Sequence, residues 1–476
     1  MSVVSGFRRS IGLFDAIMLV AGSMIGSGVF IVAGDMIRTG GTGSFLIWAW
    51  VLTGVLTVFG ALSYGELAGM FPEAGGQYTY LREIYGPMTG FLYGWTFFAV
   101  IECGTIAAVA VGFGKYLGTF LPFVNDAAWI GPHFPSGPWK ITETIIVGPY
   151  NVGLTSARLS GIVIILLLSL VNAYGVKLGA RIQNLFTVAK IGSLAALIIL
   201  GLVMKPVVAA SSAPVSLASG ATALPFLVAL LVVQTGSLFS ADAWNSITFI
   251  AGEVKEPKRT IPVSLLVGTS LVCGLYILAN VIYLKVLGPA GIAAAPNDRV
   301  GSAALKAILG PAGEGIMAGA ILWSMFGCTN GLVLSGARVY HAMAMDGVFL
   351  SKAGTLNKSG VPAFSLAIQA VWASLLTLSG TYGQLLDYVI FAALLFYVLT
   401  VLGVIILRVR EPGLQRPVKV FAYPVLPVLY LVGAVAIMLA LLIYKPAFTW
   451  PGLFIVAVGV PIYFATRSTK NPEVIP

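Results

Sequence analysis

Gly22, Ser23, Met24, Ile25, Gly26, Ser27 and Gly28 put three glycines and two serines into seven residues in the middle of an apolar segment covering 11–37. Both glycine and serine disfavour a continuing helix, glycine through backbone entropy and serine by competing for backbone hydrogen bonds. The segment is nonetheless long and apolar enough to cross a bilayer. A helix interrupted at mid-depth leaves N–H and C=O groups unpaired in hydrocarbon, which is tolerated only where that backbone lines a cavity or binds something. Where the helix restarts, at Ser27 and Gly28, free N–H groups and the positive dipole end suit an anion, and the Ser27 hydroxyl adds a donor. Where the preceding half-helix stops, carbonyls near Met24 suit a cation.

A second interruption has the same character. Between Gln234 and Asn245, inside an apolar segment covering 223–250, polar and small residues including Phe239, Ser240 and Asp242 break the run, and carbonyls near Phe239 join the cation-seeking set. Anion-seeking and cation-seeking backbone side by side fit a zwitterion, of which amino acids are the commonest small kind. Close helix packing is the competing explanation for the glycines. It fits poorly, because Gly22, Gly26 and Gly28 cannot share one helix face.

The elements that would hold these breaks are membrane helices. The chain has 476 residues and is 58% hydrophobic and 9% charged, a balance that excludes a soluble globular protein. Its net charge of +10 is scattered between apolar segments, so it describes topology rather than nucleic-acid binding. Cys103, Cys273 and Cys328 lie singly in apolar segments, which implies no disulfide framework, and His133 and His341 are too far apart in sequence to build a metal site. Arg8 and Arg9 precede an apolar stretch that contains Asp15 and runs past signal-peptide length, so no cleavable leader is expected.

Hydropathy gives about twelve spans. Their limits are 11–37, 44–70, 88–120, 159–175, 182–204, 223–250, 262–287, 312–345, 362–380, 383–407, 424–443 and 451–466. About seventeen Lys and Arg, from Arg8 to Lys470, fall on the side of the N-terminus, against about nine opposite, so both termini are expected in the cytoplasm. The loop of residues 121–158 then faces outward, and the Asn357-Lys358-Ser359 match lies on the side where glycosylation does not occur. Interrupted helices five spans apart point to an inverted five-plus-five repeat with its site at the midplane. The expected division is 1–206 for the first repeat, 207–410 for the second, and 411–476 for two further helices and a tail.

Gly22 to Phe30, the segment from Phe239 to Asn245 with Glu253, Pro257, Arg259 and Pro262, and Arg408, Glu411, Pro412, Arg416 and Pro417 together resemble the amino acid–polyamine–organocation superfamily. Within it the sequence is most similar to the L-type amino acid transporter branch in its bacterial form. The resemblance implies an all-α polytopic membrane protein with a LeuT-like fold and discontinuous first and sixth helices. It also implies a substrate site made of Met24, Ile25, Gly26, Ser27, Gly28, Phe239, Ser240 and Asp242. Ser27 and Gly28 would take the substrate carboxylate, the carbonyls of Met24, Phe239 and Asp242 its ammonium, and Phe239 would fold over it as a gate.

Lys190 lies roughly 13 Å from the near end of the fifth span by helical rise, too deep for easy snorkelling, so it needs a partner or a cavity. The resemblance implies that its ammonium stands where sodium-coupled relatives hold sodium, tying the first span to the eighth, and hence that transport does not need sodium. Asp242 either caps the second half-helix or sits beside the substrate side chain, where it would favour cationic amino acids alongside neutral ones. Glu102 is a second ionisable group at depth, serving either as a proton acceptor or as a partner to a neighbouring span. Ser324, Thr329 and Asn330 are polar enough to reach substrate or Lys190, and equally suited to bonding between helices. Phe391, Ala393 and Leu394 are expected to border a side-chain pocket.

These observations lead to a sodium-independent amino acid carrier of the plasma membrane, the inner membrane of a bacterium. It would work by alternating access as an exchanger or a proton symporter, without cofactor or metal. A polyamine or amine carrier would have no use for the carboxylate site and would want more than one acid in its pocket. A transporter-like sensor would bind ligand without moving it. A membrane-embedded enzyme would need a nucleophile–base or metal constellation that the sequence does not offer. Animal members of the branch pair with a glycoprotein through a cysteine in the outer loop. Residues 121–158 contain none, so no disulfide-linked heavy chain is expected, and a monomer or weak homo-oligomer is.

Overall fold

The computed structural model describes residues 9–137, 139–140, 146–147, 150–206, 215, 224–379 and 382–468. Arg8, Lys470 and the boundary expected at residue 207 lie outside them. The first span is α1 (Leu13–Met24), a 3-10 turn (Gly28–Phe30) and α2 (Ala33–Gly40), and the second is α3 (Gly43–Met70). A short helix, α4 (Gln77–Tyr85), precedes the third span, which comprises α5 (Pro87–Thr96), a π turn (Phe97–Ile101) and α6 (Glu102–Leu117). The fourth and fifth spans are α7 (Ser156–Ala173) and α8 (Val176–Val203). The sixth is again divided, into α9 (Phe226–Val232), α10 (Gln234–Ser240) and α11 (Ser246–Phe249). The remainder are α12 (Pro257–Ala293), the short α13 (Val300–Leu309), α14 (Pro311–Met345), α15 (Ala363–Thr377), α16 (Tyr382–Arg410), α17 (Val425–Tyr444) and α18 (Pro446–Ser468).

Among the described residues, 8 helices are long and apolar enough to cross a membrane by themselves, and shorter apolar helices supply the remaining spans. The protein is an all-α, multi-pass membrane protein whose first and sixth spans are discontinuous. Local signals set the ends. Thr42 and Thr155 accept from the backbone N–H groups of Phe45 and Arg158 and cap α3 and α7. Gly288, at φ 67, together with Pro289 kinks the far end of α12.

Apolar side chains cover the exterior as well as filling the core, and polar side chains are buried among them. Leu166, Val188, Leu227 and Leu439 are exposed, whereas Thr53, Gln234 and Ser237 are buried and bonded to one another, with Thr53 Oγ1 2.7 Å from Gln234 Oε1. An apolar exterior, with buried polar groups such as these bonded to one another, is what a hydrocarbon solvent requires. At the centre, α1 packs against α8, α12 and α14, and α3 lies along α12; α17 and α18 clad the outside against α3, α9, α5 and α16.

The connection between the third and fourth spans is not a plain loop. It holds antiparallel β1 (Trp129–Ser136) and β4 (Tyr150–Thr155), with a small second pair, β2 (Trp139–Lys140) and β3 (Ile146–Val147). Arg158 fixes the hairpin to the bundle, donating to the carbonyls of Asn151, Gly153 and Leu378 at 2.8–2.9 Å and lying over the Trp129 ring.

Candidate functional site

α1 stops where its sequence says it should. The Ile25 N–H still reaches the Ala21 carbonyl at 3.0 Å, but those of Gly26 and Gly28 reach no backbone carbonyl among the described residues. The chain then turns through Gly28–Phe30, with Phe30 N–H bonded to Ser27 O and Val32 N–H to Gly28 O, both at 3.0 Å. Gly22 and Gly28 serve different tasks. Gly22 lies inside α1, where a Cβ would come within 2.3 Å of Gln183 Nε2 and 2.0 Å of Thr187 Oγ1, so it permits close approach of α8. Gly28 lies at the break, where a Cβ would stand 2.8 Å from the Ser240 Cα. The two interruptions therefore touch backbone to backbone.

In the sixth span, Ala241 N–H still reaches Ser237 O and Asp242 N–H reaches Phe239 O, after which Ala243 adopts a left-handed φ of 63 and the chain restarts at Ser246. The Tyr276 hydroxyl of α12 lies 2.9 Å from Met24 O and 3.0 Å from Ser240 O, so one side chain serves the terminal carbonyls of both half-helices. Nothing in the sequence singles out this residue from the chain's 18 tyrosines. The Met24 carbonyl keeps a second lone pair for a ligand.

Lys190 is fully buried and donates to the Gly22 carbonyl at 2.5 Å. Its Cε packs beside Gly327 of α14, so it stands between the first and eighth spans. Ser324 donates to the Ile25 and Gly26 carbonyls at 3.0 and 3.2 Å, and the Cys328 thiol to the Ser23 carbonyl. Asn330 bonds instead to Asn172 and Gln183, joining spans four, five and eight, and Thr329 bonds to Met325 within its own helix.

Three small cavities among the described residues have Asp242 in their lining. The first, of about 10 Å³, is lined by Met24, Gly26, Ser27, Gly28, Phe239 and Ser240, among others. The second, also about 10 Å³, adds Gln77, Tyr93, Glu102, Asn245 and Tyr397. The third, about 20 Å³, is bordered by Thr57, Trp244, Ala393, Leu394 and Tyr430. Asp242 accepts from the Tyr397 hydroxyl at 2.6 Å. Phe391 is buried in α16 but lines none of the three, and Ile25 takes part through its carbonyl alone.

The two faces of the molecule differ. Away from the N-terminus a vestibule of about 610 Å³ opens between Val32, Lys115, Gly236, Arg299 and Lys445, with Arg38 paired to Asp298 at 2.9 Å on its rim. On the N-terminal side the Glu253 carbonyl accepts from Ser10 and Ile11, and its carboxylate pairs with buried Arg338 at 2.9 Å. Arg408 and Arg416 hold buried Glu66. Arg82 and the Tyr78 hydroxyl both bind Asp346; burial, with Asp346 alongside, pushes the Tyr78 hydroxyl above its ordinary range, which keeps it a donor.

Comparison with known proteins agrees with this architecture. A family model described as amino acid permease matches residues 11–465. The chain is similar to the serine/threonine exchanger SteT of Bacillus subtilis, 29% identical over 469 residues covering 98% of both chains. It is similar to the human b(0,+)-type amino acid transporter 1, 30% identical over 480 residues covering 97% of this chain and 88% of the relative. The human large neutral amino acids transporter small subunit 2 is 29% identical over 471 residues, covering 96% of this chain and 80% of the relative. With a family match over nearly its whole length and a broken-helix pair at its centre, the chain belongs to the amino acid permease family.

Proposed function

We propose that this protein is a sodium-independent amino acid transporter that works by alternating access. The observation that carries the reading is the contact of the two helix breaks, Gly28 against Ser240, around a cavity lined by Met24, Ser27, Phe239 and Asp242. The N–H groups of Gly26 and Gly28 suit a carboxylate, with Ser27 beside them, and the carbonyls of Met24, Phe239 and Asp242 suit an ammonium. Phe239, buried at the end of α10, is the gate over that cavity. Lys190 supplies from the protein the positive charge that a bound sodium ion would otherwise give the first and eighth spans.

The bundle of the first, second, sixth and seventh spans moves against the rest. The chain divides into repeats at 1–206 and 207–410, followed by two helices in 411–476. Both termini are cytoplasmic in the plasma membrane, so the 610 Å³ vestibule faces outward and the Glu253–Arg338 side is shut. The state is an outward-facing vestibule over a closed site. Exchange is favoured over proton symport by the relative named a serine/threonine exchanger. The protein acts without a disulfide-linked partner, as a monomer or weak homo-oligomer, and is a carrier rather than an enzyme.

Uptake of labelled amino acids into liposomes containing the purified protein tests the reading. Accumulation is expected with amino acid inside and with choline in place of sodium. Strict dependence on sodium, or failure to take up any amino acid, overturns it.

A further inference from the structure

The eleventh span, α17, does more than clad the bundle. It buries Pro427, Tyr430, Ala434, Ile437 and Leu441 and leaves Leu429, Val432 and Val435 exposed, so one stripe at three- and four-residue spacing faces inward. Against α3 that side of the helix fits through two reciprocal notches. A Cβ at Gly433 would stand 2.7 Å from Leu56 Cδ2 of α3, and one at Gly60 of α3 would stand 3.1 Å from Tyr430 Cε2 and 3.3 Å from Trp244 Cζ2. Small residues at both places let the two helices approach closely. The Tyr430 ring therefore lies over Gly60, beside Trp244 in the interruption of the sixth span.

There Tyr430 and Ala434 border the third of the cavities that Asp242 lines. Most of the remaining lining is aliphatic, from Leu56, Leu238, Ile390, Ala393 and Leu394, which suits an uncharged side chain. Its aromatic walls are held in different ways. Trp244 lies edge-on to Tyr64 at 4.7 Å and 5.4 Å from the Tyr397 ring, and Tyr397 donates to Asp242, so both belong to the break. Tyr430 comes instead from the periphery and is fixed by its seat on Gly60. A ring packed that tightly cannot withdraw without shifting α17 from α3, so a bulky group pushed against it meets the penalty of overpacking.

We propose that Tyr430 of the eleventh span is a size-determining residue, whose ring closes the side-chain pocket so that short neutral amino acids are carried and aromatic ones are turned away. This rests on the amino acid carrier reading above and adds the substrate class to it. The α-carboxylate and α-ammonium stay at the breaks, and the side chain passes Asp242 into the space between Trp244, Ala393 and Tyr430. The wall that limits its length is thus supplied by a helix outside both interrupted spans.

The test measures uptake of labelled alanine and phenylalanine by the full chain in liposomes. In the wild type alanine is expected to have a kcat/KM about tenfold or more above that of phenylalanine. In Tyr430→Ala the ratio of phenylalanine to alanine is expected to rise by about the same factor, whereas Tyr430→Phe, which keeps the ring, leaves it unchanged. Tyr430→Leu, which still fills the Gly60 seat but shortens the wall, is expected to shift the ratio part of the way, and it carries the test should Tyr430→Ala not fold. A ratio that stays at the wild-type value in both shortened variants, whatever the absolute rates, makes Tyr430 a packing residue alone and overturns the proposal while the carrier reading stands. So does a wild type that takes up phenylalanine as well as alanine. Failure of the wild type to move any amino acid overturns both.

Discussion

The Lys190 ammonium meets the Gly22 carbonyl at 2.5 Å, two residues before α1 ends. A fully buried cation is thereby attached to the half-helix that leads into the proposed carboxylate-binding turn, while its stem lies against Gly327 of α14. It couples the position of the first span to that of the eighth. Lys190→Ala would leave the Gly22 carbonyl without its donor and the space without its charge, at a cost of about 1–3 kcal/mol for the orphaned group alone. Uptake by this variant is expected to fall about tenfold or more. Replacing sodium by choline is expected to leave the wild type unaffected. Initial rates in liposomes check both, and a wild type that stops in choline contradicts the role given to Lys190.

Tyr276 offers a sharper lesion. Its hydroxyl lies between Met24 O and Ser240 O, so Tyr276→Phe removes one oxygen and unties both half-helices while the ring stays packed edge-on to Trp50. The expected result is a loss of about 1–3 kcal/mol, read as weaker amino acid binding in a scintillation proximity assay. An unaltered affinity would mean that the two carbonyls are held without it.

The glycines separate binding from packing. A Cβ at Gly28 meets the Ser240 Cα at 2.8 Å, which is backbone and cannot yield without moving the break. Gly28→Ala is therefore expected to abolish uptake while the protein remains monodisperse in detergent. At Gly22 the obstruction is the side chains of Thr187 and Gln183, so Gly22→Ala overpacks the α1–α8 contact, with an expected loss of about 1–3 kcal/mol in stability. Thermal melting of both variants beside uptake distinguishes the two. Equal loss of uptake and of stability in each would erase the distinction.

The sequence exposes features that depend on local chemistry. Both helix breaks were legible because glycine, serine and aspartate interrupt apolar runs, and the spans were legible from hydropathy alone. Lys190 stood out because a lysine at that depth requires an explanation. What stayed hidden depends on pairing across the bundle. Tyr276, Tyr397 and Cys328 carry no local mark, yet their partners are Met24, Asp242 and Ser23, 252, 155 and 305 residues away in sequence. Gly22 is indistinguishable in type from the glycines of the break, and only the nearness of Gln183 and Thr187 assigns it to packing. The β1–β4 hairpin was missed because Pro132 and Pro135 within β1 are poor strand formers, compatible only with its place at a sheet edge.

The pair that closes the N-terminal side is built to come apart. Glu253 and Arg338 are buried and meet through a single bond, Arg338 Nε to Glu253 Oε1 at 2.9 Å, while Glu253 Oε2 and Arg338 Nη2 have no partner among the described residues. A buried ion pair pays for desolvation with its mutual attraction, and one left half-satisfied holds its two elements with little to spare. Breaking it in one direction leaves a buried charge, at about 3–5 kcal/mol, which the protein avoids by opening that face to water. Glu253→Gln is thus expected to shift the population from the closed N-terminal side toward an open one. A cysteine placed at Ala251, next to the pair, reports this as faster labelling by a membrane-impermeant maleimide applied to the N-terminal side, with slower labelling of a cysteine placed at Gly236 on the vestibule floor. Unchanged rates at both positions in a folded variant would show that Glu253 and Arg338 do not hold the gate.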